Sequence, residues 1–267
     1  MSEHLIRGAS ILTAEAEVIR AAPTLPGSTD KVAIINESTV VQDADAQKWM
    51  AAVQFQADHH FRPAWGPTCR MSFYGKGQKP DPNMAWLAIL DDSDQAGALG
   101  YHDLTDNGLP LGKVFAKTDL QYNEVISVTL SHELLELLAD PYISYTMLTE
   151  GPAHTVMGYA WEVCDACEDD QFAYTIDGVE VSDFVYPAWF QPWRAPGSTR
   201  FDHCQKINQP FQLLPGGYIG VWTPQTGWTQ LNADKVPTHK LRPKVGQRRE
   251  RRATPLASWR LSDPRGG

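Results

Sequence analysis

Long apolar runs are missing from this chain. No stretch approaches the roughly 20 residues that a membrane-spanning helix requires, so no membrane span is expected. Cysteine is scarce as well: four in 267 residues, at 69, 164, 167 and 204, too few to staple a domain of this length. They are expected to be reduced thiols. Met1–Asp30 has no basic segment followed by an apolar block, so no secretory signal is read there. Cys164-x-x-Cys167 has no second pair of matching spacing, which weakens both a zinc-knuckle and a redox reading. The acidic run Glu168-Asp169-Asp170 with Asp177 lacks EF-hand spacing and reads as a solvated loop. There is no internal repeat.

Charge is unevenly distributed. The net charge is −9, yet Lys235 to Gly267 carries ten Lys/Arg against two Asp/Glu, leaving residues 1–234 at −17. That basic segment is rich in Pro, Gly and Arg without hydrophobic period. It is expected to be a disordered or partner-ordered arm, able to meet nucleic acid or an acidic protein surface. Residues 1–30 read as an irregular leader and 31–234 as one domain.

Within 31–234 the order of elements is legible. Lys31–Val41 has the β-branched content of a strand. A helix follows from Ala44 to about Phe61, with Asp43 and Asp45 as cap candidates, a stripe of Trp49, Met50, Val53 and Ala57, and Pro63 as its stop. Thr68–Phe73 and Met84–Leu90 read as strands, and Leu99–Asp103 with Lys113–Lys117 as a long hairpin or edge strand around Asp106-Asn107-Gly108. A second helix is expected from Asn123 to Ala139, ended by Asp140-Pro141. Tyr142–Gly158 reads as loop, Tyr159–Val163 and Tyr174–Val185 as short strands, and Gly216–Trp222 with Gly227–Leu231 as a terminal hairpin.

The second helix is the chemically informative one. Ser131-His132-Glu133-Leu134-Leu135-Glu136-Leu137-Leu138-Ala139-Asp140 sets a histidine and three carboxylates among aliphatic residues. His132 and Glu136 lie one turn apart on one face, with Glu133 beside them. Leucines at 130, 134, 135, 137 and 138 cover most of the remaining circumference, so the helix should be buried nearly all round. Ionised groups in such a place need compensation, and a bound cation is the simplest. The pattern is HExxE, one residue from the HExxH helix of zinc peptidases.

Val32–Val41, Gly100-Tyr101-His102-Asp103, Val128–Pro141, Trp161–Asp165 and Val181–Phe190 together resemble a zincin-like family of bacterial and phage proteins, over roughly residues 30–230. The resemblance implies an α+β, zincin-like metallopeptidase fold: a mixed sheet whose edge strand lies beside a buried metal-bearing helix. By the logic of the zinc-peptidase helix, His132 is the first ligand, Glu136 the second, and Glu133 the general base. Glu162, 26 residues beyond Glu136 in a strand-like WEV, is the favoured third ligand, with Asp165 and Asp140 in reserve. His102, on the edge strand, is the candidate for polarising a substrate.

One histidine and two carboxylates neutralise a divalent ion, where two histidines and one carboxylate leave +1. Water at such a site is less acidified, and oxygen-rich ligation widens the choice from zinc to Mn²⁺, Fe²⁺ or Ca²⁺. The leading expectation is a metal-dependent hydrolase acting on peptide or protein. Its rival is a non-enzymatic assembly protein, of a phage particle or similar, with a structural metal and a nucleic-acid- or subunit-binding arm. Either implies a cytoplasmic or virion-associated location. His59-His60 reads as a helix terminus, and Tyr186, Trp189, Phe190 and Trp193 as core aromatics.

Overall fold

The computed structural model describes residues 29–94, 98–105 and 108–233. The leader and the basic arm, with the partners expected of that arm, lie outside the described residues, as do Asp106 and Asn107. Five strands form a mixed sheet in the order β2-β1-β3-β5-β4: β1 (Lys31–Asn36), β2 (Arg70–Tyr74), β3 (Ala85–Leu90), β4 (Gly100–Leu104) and β5 (Pro110–Phe115). β1 runs parallel to β2 and β3, β3 parallel to β5, and β4 returns antiparallel to β5 as the terminal strand, with His102 opposite Gly112.

Alternation along these strands makes two cores. Val32, Ile34, Leu87, Ile89 and Val114 point to one face and join the main cluster with the helices. Ala33, Ile35, Trp86, Ala88, Leu111 and Phe115 point to the other and form a smaller one. Burial on both faces explains why AWLAIL and KVAIIN are near-continuous apolar runs.

Helix α1 (Asp43–Gln56) continues through a π-helical turn, Ala57–Phe61, into the short α2 (Arg62–Trp65). Pro63 therefore does not stop the helix. It lies just after the π-helical turn, and the helix runs two residues beyond it to Trp65. Asp43 is the first helical residue rather than the cap, and its carboxylate accepts from the Asn36 side chain at 2.8 Å.

The second expected helix starts three residues later than Asn123 and ends as expected at Ala139, and a short helix not expected from the sequence precedes it. α3 (Ala116–Tyr122) ends where Asn123 adopts a left-handed conformation, φ 58°, and α4 (Ile126–Ala139) starts afresh. All 14 residues of α4 are buried, each buried leucine contributing on the order of 1.5–3 kcal/mol. Asp170 of the acidic run accepts the Val125 N–H at 2.6 Å, a carboxylate at the helix N-terminus where the dipole favours it. Asp169 caps the turn beside it. That run is thus a set of caps, not merely a solvated loop.

Beyond α4, the segment 142–158 is not loop. Its residues pair as β6 (Thr146–Glu150) and β7 (Val156–Ala160), joined by β10 (Tyr218–Thr223) and β11 (Gly227–Asn232) in an antiparallel sheet. β8 (Tyr174–Ile176) and β9 (Val179–Val181) make a hairpin against α4. Ser131 ties helix to hairpin: its hydroxyl donates to the Val128 carbonyl and accepts the Ser182 N–H at 2.6 Å. Among the described residues no helix is long and apolar enough to cross a membrane. Trp189, Phe190 and Tyr186 pack in or against the core, whereas Trp193 is exposed.

Just past β9, Asp183 accepts backbone N–H groups from Phe184 and Cys204 and shares a hydrogen bond with Asp202. Burial first, then the Asp202 carboxylate, pushes its pKa up to about 8. The folded chain therefore keeps a proton that the unfolded chain releases near pH 4. The stability this contributes is full below that pH and is lost as pH rises through about 8. Urea unfolding of the metal-free protein should show stability falling between pH 5 and 8, and Asp183→Asn should flatten that slope.

Candidate metal centre

Six buried side chains from three elements converge between the sheet and the C-terminal half. α4 supplies His132, Glu133 and Glu136; β4 supplies His102; the segment after β7 supplies Glu162 and Asp165. HExxE on a straight helix places His132 and Glu136 one above the other, with His132 Nε2 3.4 Å from Glu136 Oε2. Asp165 closes this group from outside the helix, its Oδ1 3.3 Å from His132 Nε2. The donor atoms of His132, Glu136 and Asp165 all lie within 4.8 Å of one another.

Glu162 is placed differently from the sequence expectation. β7 ends at Ala160, so WEV is not strand, and a single 3₁₀ turn at Asp165–Cys167 aims Asp165 at α4. Glu162 instead reaches His102, with Oε2 3.9 Å from Nε2. Asp140, the other reserve, accepts the Ser144 and Tyr145 N–H groups at 3.0 and 2.8 Å and so caps the turn after α4. The edge strand carries His102 into the cluster rather than to a solvent rim: it is 2 % exposed, and Nδ1 faces Glu133 and Glu136.

The donor set fits a divalent cation. Gaps of 3.3–3.7 Å between donors are long for hydrogen bonds. They match two ligands on one ion, about 3.4 Å apart for tetrahedral bonds near 2.1 Å. Among the described residues, both His102 nitrogens and Glu133 Oε2 are buried without a hydrogen bond, which folded proteins rarely tolerate. Burial presses the His132 pKa down, but the charges of Glu136 and Glu133 and bonding to Asp165 and Glu136 outweigh it and hold the imidazole well above its ordinary value.

Two features hold the carboxylates in place. Glu136 Oε1 accepts the Cys164 N–H at 3.2 Å, leaving Oε2 toward the histidines. Gly100, two residues before His102, gives Glu133 its room: a Cβ there would lie 2.8 Å from Glu133 Cγ and Oε1 and 2.8 Å from Thr129 Cγ2. Sequence reasoning passed over Gly100, although a glycine two positions before a buried strand histidine signals close approach of another element.

The remaining candidates do not join the cluster. Cys164 and Cys167 are buried free thiols whose pKa burial pushes well up, and neither belongs to a ligand group among the described residues. His60 bonds Tyr174 at 2.8 Å and stacks on His203, while His59 is exposed. No known protein family matches the chain, and no curated protein or solved structure shows significant similarity to it.

Asp165→Ala is expected to weaken Zn²⁺ or Mn²⁺ binding at least about tenfold, the lower end of what even an outer-shell partner costs. Competition against a chromogenic chelator measures it. Gly100→Ala should displace Glu133 and reduce binding too, while leaving the far-ultraviolet circular dichroism unchanged.

Proposed function

We propose that this chain is a metal-dependent hydrolase of zincin type acting on peptide or protein, its ion held by His132, Glu136 and Asp165. The observation that carries the reading is the convergence of His132 and Glu136 with Asp165, on a buried helix that also carries Glu133 and lies beside an antiparallel edge strand. α1, α3 and α4 each contact the five-stranded sheet and contribute residues to the same apolar cluster. When bound, a divalent cation supplies Lewis acidity to water and to a carbonyl oxygen.

The chain's own residues do the rest. Glu133 Oε2, free of hydrogen bonds among the described residues, takes the proton from water and returns it to the leaving amine. Glu136, fixed by the Cys164 N–H, and Asp165, fixed by its 3₁₀ turn, hold the His132 side of the site rigid. β4 is hydrogen-bonded to β5 along one edge and lies at the end of the sheet order, a place for an extended peptide to add alongside. Access is from the His132 side, where the side chain is 10 % exposed against 5 % or less for Glu133, Glu136 and His102.

That burial also favours a second reading, a structural ion in a non-enzymatic protein. Glu133→Gln separates the two. The hydrolase reading expects loss of peptide hydrolysis by about 10²- to 10⁴-fold, with the ion at His132, Glu136 and Asp165 retained in elemental analysis. A wild-type protein that holds the ion and cleaves no peptide would exclude the hydrolase.

A further inference from the structure

His102 is the least satisfied member of the cluster. A neutral imidazole has one N–H to donate and one lone pair to fill, yet among the described residues neither ring nitrogen makes a hydrogen bond at 2 % exposure. Nδ1 aims between Glu133 Oε2 at 3.7 Å and Glu136 Oε2 at 3.6 Å. These three donors form a second group within 4.8 Å of one another, distinct from the group of His132, Glu136 and Asp165. Each group has one imidazole and two carboxylates. Glu136 belongs to both, and through the same oxygen: Oε2 is 3.4 Å from His132 Nε2 and 3.6 Å from His102 Nδ1.

We infer that the centre takes two divalent cations, one between His132, Glu136 and Asp165 and a second between His102, Glu133 and Glu136, with Glu136 as the bridge. The first of these positions rests on the hydrolase reading; the second goes beyond it. Charge supports the pair. Glu133, Glu136, Glu162 and Asp165 are all buried and formally carry −4 when ionised, so one divalent ion leaves −2 and two leave zero. Glu162, 3.9 Å from His102 Nε2, stands behind the ring as an outer carboxylate that orients a ligating histidine. Two ions sharing one carboxylate lie about 3.5–4 Å apart, and oxygen-rich sites of this kind suit Mn²⁺ or Fe²⁺ as well as zinc. In this arrangement Glu133 would hold the second ion with Oε2, the atom that the one-ion reading uses as the base, so the two arrangements differ in the role of that oxygen.

The full-length chain, stripped with a chelator, is titrated with Mn²⁺ and separately with Zn²⁺. Two equivalents are expected, with an exchange-coupled Mn²⁺ electron paramagnetic resonance spectrum at saturation. His102→Ala and His102→Gln should each bind one equivalent and give the uncoupled six-line spectrum, with near-ultraviolet circular dichroism as the check on folding. The wild-type spectrum needs no variant and decides the matter if both variants misfold. A single uncoupled ion in the wild type, or an unchanged stoichiometry in folded His102 variants, overturns the second site. Hydrolysis with one ion would do so while sparing the hydrolase reading; two coupled ions without hydrolysis would do the reverse. No bound ion would overturn both.

Discussion

Burying carboxylates is the constraint on which the rest of this structure turns. Four of them, with two imidazoles, are enclosed between a sheet and an irregular C-terminal half, where water cannot screen them. An uncompensated charge in such a place costs several kcal/mol, so the fold around it must either neutralise the cluster or be destabilised by it. Much of the surrounding architecture positions these groups, with 3.3–3.9 Å between neighbouring donor atoms. α4 is straight and completely buried, Asp170 caps its start, Ser131 stitches it to β9, and Gly100 allows β4 to approach it.

Much of the frame was legible in the sequence because it rests on patterns with strong local causes. Buried parallel strands read as continuous apolar runs, and the leucines of α4 predicted its burial. The edge hairpin of β4 and β5 was visible from Asp106-Asn107-Gly108. The misreadings have local causes too. The expected helix start at Asn123 falls in the link between α3 and α4, where Asn123 is left-handed, and α3 itself is short and carries no apolar period to mark it. β6 alternates exposed and half-buried residues and contains few strong strand formers, so a real strand looks like loop. Pro63 was read as a stop, yet the helix runs two residues beyond it.

The site divides along the same line. His132, Glu133 and Glu136 are neighbours in sequence, and their juxtaposition follows from helical geometry alone. Asp165 over Glu162 is decided by where β7 ends and a 3₁₀ turn begins, which residue types do not reveal. The position of His102 beside Glu133 depends on the antiparallel register that sets it opposite Gly112. Tertiary placement, rather than residue chemistry, buries this edge-strand histidine among the carboxylates.

The hydrogen bond from the Cys164 N–H to Glu136 has a consequence for how the chain becomes functional. Glu136 is aimed by a segment 28 residues downstream, and the histidines come from β4 and α4 on opposite sides of the same carboxylate. The centre cannot be complete until the chain after β7 has docked on α4, a closure that is long-range and entropically costly. A cation held by all of these groups would therefore follow that docking, locking halves already assembled instead of seeding their assembly.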